Sequence, residues 1–109
     1  MSLLMTFALT DKNSLKKIQD TGKKAGLEVK ELDPARIDSS DSMYLIDYTH
    51  TYGIGLAKKI RAENPGAKII VFYPHLRFYV KVEIEKMGCI AMENSDFYSK
   101  LKDVLKGKI

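Results

Sequence analysis

The chain has 109 residues, 18 of them Lys or Arg and 14 Asp or Glu, giving a formal charge of +4 with both histidines neutral. A chain of this length makes one domain, residues 1–109. Its core needs no disulfide or metal staple, because folding buries roughly 60 to 70% of the unfolded surface. The hydrophobic share of 45% and charged share of 29% exclude the disordered, collagenous and coiled-coil classes.

Leu4 to Leu9 is a short apolar run followed by Thr10, Asp11, Lys12, Asn13 and Ser14, which supply turn and N-cap chemistry. A buried strand feeding a helix is the expectation. Leu15, Ile18, Gly22 and Ala25 recur at helical spacing with lysines on the other side, and Gly26 stops this helix where a left-handed residue is wanted. Leu27 to Leu32 alternates as a second strand. Asp33 to Ser42 holds Pro34 among Asp and Ser residues, leaving room for one or two helical turns. Met43 to Tyr48 is the third strand, and Tyr52 to Glu63 is a helix through Ile54, Leu56, Ala57 and Ile60, closed by Asn64, Pro65 and Gly66. Lys68 to Tyr73 is almost purely apolar, as suits the buried centre of a parallel sheet.

Leu76 to Met87 fits two periods: Phe78, Val80, Val82 and Ile84 alternate as a strand, while Leu76, Val80, Ile84 and Met87 repeat as a helix. Length, and Gly88 as a stop, favour the helix. Cys89 to Met92 is a fifth strand, and Asp96 opens a last helix with Phe97, Leu101, Val104 and Leu105 facing inward. Strand and helix thus alternate five times. That order predicts an α/β fold of flavodoxin-like (βα)5 type, a doubly wound five-stranded parallel sheet with a shortened second helix.

Ligands of such sheets collect at the carboxyl ends of the strands. This directs attention to Thr10 and Asp11, to Asp47 through His50, to Tyr73 through His75, and to Glu93 through Asp96. Asp47 is the most informative, a carboxylate ending a strand otherwise built for burial. Leu45-Ile46-Asp47, Gly55, Ala57-Lys58-Lys59-Ile60-Arg61, Asn64-Pro65 and Lys68-Ile69-Ile70-Val71-Phe72 share one spacing, joined by Ala25-Gly26-Leu27-Glu28-Val29 before them and Gly88 and Phe97 after. In that spacing the chain resembles, over nearly its whole length, the CheY-like receiver domains of response regulators.

The resemblance implies a phosphorelay role in which Asp47 is the phosphoacceptor. It also implies an acidic pair after the first strand that shares Mg2+ with Asp47, a Thr or Ser after the fourth strand, and a Lys after the fifth. The chemistry needs these groups because charge gathers on the transferring phosphoryl oxygens and a cation must neutralise it. Here the acidic pair falls on Leu9 and Thr10, with Asp11 one step later. The two switch positions fall on Tyr73, followed by Pro74, and on Ser95, followed by Asp96. The chain thus reads as a degenerate, pseudo-receiver member. An alternative is a working phosphoacceptor in which Asp11 joins Asp47 as a Mg2+ ligand, the first strand being shifted by one residue.

If Leu76 to Met87 is a helix with Val80, Ile84 and Met87 inward, then Phe78, Tyr79 and Val82 form an outward apolar patch beside Arg77 and Lys81. Such patches mark partner contacts. The expected partner is a protein: a histidine kinase, an output or assembly partner, or a second copy. No enzymatic activity and no cofactor are expected apart from Mg2+ at a phosphorylated Asp47. Residues 55–109 hold eleven basic groups to six acidic ones, yet Lys100, Lys102, Lys106 and Lys108 read as a solvated face rather than a nucleic-acid stripe. The lone Cys89 and the lack of any run near the ~18 residues of a membrane span point to a reducing, cytoplasmic setting.

Overall fold

The structure, a computed structural model, describes residues 4–8, 12–26, 29–30, 43–48, 53–74 and 78–106. Within them the chain runs β1 (Leu4–Ala8), α1 (Lys12–Lys24), β2 (Val29–Lys30), β3 (Met43–Asp47), α2 (Gly53–Glu63) and β4 (Lys68–Tyr73). It continues through α3 (Phe78–Lys86), β5 (Ile90–Glu93), α4 (Asn94–Ser99) and α5 (Leu101–Leu105). The segment expected to hold the shortened second helix lies outside the described residues.

The strands form one sheet in the order β2-β1-β3-β4-β5, and every pairing is parallel. Because the order reverses between β1 and β3, helices pack on both faces. The two-residue period of the central strands divides the core accordingly. Tyr44 and Ile46 of β3, with Ile69, Val71 and Tyr73 of β4, join Leu56, Ala57 and Ile60 of α2 and Val80 and Ile84 of α3. Met43, Leu45, Ile70 and Phe72 face the other way, onto Ile18 of α1, Phe97 of α4, and Leu101, Val104 and Leu105 of α5.

The register carries one irregularity. Leu4 pairs with Met43 and Thr6 with Leu45, but Ala8 pairs with Ile46, so β1 takes one extra residue near Phe7 and ends one step behind β3. Gly26 and Gly88 sit at φ of +76° and +77°, the left-handed conformation that lets α1 and α3 end sharply. At Gly88 the ending is a Schellman pair: Gly88 N–H donates to the Glu85 carbonyl at 3.0 Å and Cys89 N–H to the Ile84 carbonyl at 3.3 Å.

Several boundaries differ from the sequence reading. Helix α1 starts at Lys12 rather than Leu15, and β5 runs from Ile90 to Glu93, with Cys89 still buried just ahead of it. The ambiguous segment is helical. Its inward residues Val80 and Ile84 are almost wholly buried. The last helix starts at Asn94 and is two pieces instead of one, separated at Lys100 (φ −108°, ψ 18°). At the break the Ser99 hydroxyl and the Lys100 amide both donate to the Asp96 carbonyl, at 3.1 and 3.0 Å.

Candidate functional site

The parallel sheet brings the last residues of β1, β3, β4 and β5 to one edge: Ala8, Asp47, Tyr73 and Glu93. Asp47 is 8% exposed and is the one buried polar or charged residue among those described. It shares the parity of Met43 and Leu45 and so belongs to the face covered by α1 and α5. The Tyr48 amide donates to the Phe72 carbonyl at 2.9 Å, carrying the β3–β4 ladder one residue past Asp47. The strand end that presents this carboxylate is therefore held in place on its β4 side.

Tyr73 ends the neighbouring strand and is 6% exposed, packed into the α2–α3 core. In the sheet it stands opposite Glu93. Burial pushes the phenol up from its ordinary value, and the carboxylates of Glu93, Glu85 and Asp96 push it further the same way. Tyr73 thus holds its phenolic proton more tightly than a free tyrosine does.

Ser95, the other expected switch position, is exposed in the first turn of α4 beside exposed Asp96, while the strand itself ends on half-buried Glu93. The sequence reading took in the Glu93–Asp96 segment but gave Glu93 no role. Its signal was the one that singled out Asp47, an acid directly after an apolar strand. Next to it, Asn94 Oδ1 is buried with no hydrogen-bond partner.

Leu9, Thr10, Asp11, His50, His75 and Arg77 lie outside the described residues, so the Asp11–Asp47 pairing has no geometry here. Among the described residues no three His, Cys, Asp or Glu side chains converge into a cation site.

Of the expected partner surface, Tyr79 is 64% exposed, Lys81 is exposed and Val82 is half-buried. Phe78 opens α3, but its side chain lies outside the description, as does Arg77. A groove of about 650 Å³ between α2 and α3 is lined by Lys58, Tyr79, Val82, Glu83, Lys86 and Met87. Tyr79 and Val82 thus face α2.

The sequence reading gave no role to Arg61. From α2 its guanidinium donates to the Pro65 carbonyl at 2.7 Å and to the Gly88 carbonyl at 2.8 Å, tying the turn before β4 to the turn before β5. The same cation lowers the thiol pKa of Cys89, but burial outweighs it and leaves that pKa raised. No described helix is long and apolar enough to cross a membrane.

No family model and no curated protein matches the chain. Solved structures do. A CheY-like receiver domain protein from Methanospirillum hungatei is 16% identical, with a TM-score of 0.75 over 99% of this chain and 97% of that one. The BeF3-activated receiver domain of DrrB is 16% identical, with a TM-score of 0.81 over 98% of this chain and 97% of that one. A putative pilus assembly protein from Burkholderia thailandensis is 18% identical, with a TM-score of 0.76 over 98% and 97% of the two chains. At such identities the likeness is one of fold: the chain folds as CheY-like response-regulator receiver domains do.

Proposed function

We propose that this chain is a receiver-like signalling module of the two-component or phosphorelay type that works through protein contacts, without enzymatic activity and with an incomplete phosphorylation site. One observation carries the reading. At the carboxyl edge β3 ends on buried Asp47, where the receiver resemblance implies a phosphoacceptor, while the neighbouring strand ends on buried Tyr73, where it implies a small hydroxyl. A bulky ring there occupies space that a small hydroxyl would leave open. The matched folds include both a BeF3-activated receiver domain and a putative pilus assembly protein, and an assembly or output partner suits a module of this kind. We place the module in the cytoplasm.

The test is incubation with Mg2+ and acetyl phosphate or beryllofluoride, read by mass and by amide shifts. No stoichiometric adduct is expected; labelling at Asp47 would overturn the reading. A second reading, a working phosphoacceptor, is favoured by one feature: the extra residue in β1 sets that strand back against β3, the direction in which Asp11 could serve with Asp47. It predicts labelling that Asp47→Asn abolishes.

A further inference from the structure

Helix α3 shows two stripes. Val80 and Ile84 face the sheet, whereas Tyr79, Val82, Glu83 and Lys86 recur at the i, i+3, i+4, i+7 spacing of a second face, which looks across to Lys58 of α2. Tyr79, 64% exposed, is the one large hydrophobic side chain that the described residues leave exposed. With Val82, and Met87 just past the helix end, it forms an apolar floor along about 10 Å of α3, at about 1.5 Å of helix per residue. That matches about two turns of an added helix. The walls are charged, with Lys58 on α2 and Lys86 on α3 against the single acid Glu83.

We propose that this groove docks an amphipathic helix of a partner protein whose apolar stripe is flanked by acidic side chains. The inference rests on the reading of the chain as a protein-contact module and names the partner's chemistry. Groove recognition of this kind places apolar anchors on the floor and complementary charges at the rim. A second copy of the chain fits poorly. On its exposed α1 and α5 faces Lys16, Lys17, Lys23, Lys24 and Lys102 outnumber Asp20 and Asp103, and Lys58 and Lys86 repel that basic excess. The apolar floor and Glu83 in the wall likewise oppose a nucleic-acid backbone.

The test uses the full isotope-labelled chain and two short synthetic helical peptides with leucine at i, i+3, i+4 and i+7, one flanked by glutamates and the other by lysines. The acidic peptide is expected to move the amides of Tyr79, Val82, Glu83, Lys86 and Lys58, and to bind about tenfold or more tighter than the basic one. Tyr79→Ser should remove binding without unfolding the chain, since that side chain is mostly exposed. Lys58→Glu should reverse the preference between the peptides. An acidic peptide that leaves these amides unmoved overturns the proposal, and so does equal binding of the two peptides. The same shifts on concentrating the chain alone would assign the groove to a second copy and overturn it too. Labelling at Asp47 bears only on the preceding reading: a chain that labels and still binds the acidic peptide keeps the groove.

Discussion

On one face of the sheet, Phe72 and Phe97 stack with ring centroids 4.0 Å apart, Tyr98 meets both edge-on, and Lys17 of α1 lies 5.2 Å over the Tyr98 ring. On the other face Tyr44 and Tyr73 are buried among aliphatic side chains under α2 and α3, and residues of these two helices line the groove where Tyr79 is exposed. The aromatic face is closed by ring packing that runs through sheet, α4 and α1. The α2–α3 face carries a hydrogen-bonded strap, Arg61, reaching two turns at once. The first arrangement stabilises the sheet and leaves little to dock against. The second ties α2 to the turn that ends α3 while Tyr79 on the flank of α3 stays exposed.

Substitutions can break this contrast. Phe97 is fully buried and makes the central stack, so Phe97→Ala is expected to cost about 3–5 kcal/mol, read by chemical denaturation. A cost below about 1 kcal/mol would mean that the aromatic face is not closed as described. Arg61→Ala removes two charge-assisted hydrogen bonds and should cost about 2 kcal/mol. Arg61→Lys should recover only part of this, because a single ammonium cannot reproduce the planar fork that serves two carbonyls. If the strap fixes the groove, Arg61→Ala should also shift the amides of Val82 and Met87, while Phe97→Ala shifts them less.

Much of the architecture was legible because burial writes itself into periodicity. Ile69 to Phe72 could hardly be other than a central strand, and the sheet places them there. Val80 and Ile84 decided the ambiguous segment, since only a helix puts them on one face with Gly88 at its end. What stayed hidden depends on long-range hydrogen bonds or on local backbone geometry. The reach of Arg61 to Gly88 spans 27 residues. The extra residue in β1 shows only in its pairing with β3. The break at Lys100 shows only in its backbone dihedrals, which no apolar pattern encodes. At the site, Asp47 was legible from its setting in an apolar strand. The approach of Glu93, Glu85 and Asp96 to Tyr73 was not, since it joins α3, β5 and α4 through the fold.

The smallest expected effect sharpens the contrast through pH. Tyr73 and Cys89 both lie in the core under α2 and α3, and burial raises the pKa of each above its ordinary value. A group with a raised folded-state pKa holds its proton in the native chain after the unfolded chain has released it. Unfolding then releases protons, so the stabilising contribution is intact below the unfolded pKa and falls as pH rises beyond it. For the phenol that decline begins near pH 10, and for the thiol nearer pH 9. Tyr73→Phe should leave stability almost unchanged at pH 7 and make the chain more resistant than the parent above about pH 10. Denaturation of both proteins across the alkaline range checks it. If the two curves stay parallel above pH 10, the phenol is not held neutral by its surroundings, and Glu93, Glu85 and Asp96 do not press on it as the fold places them.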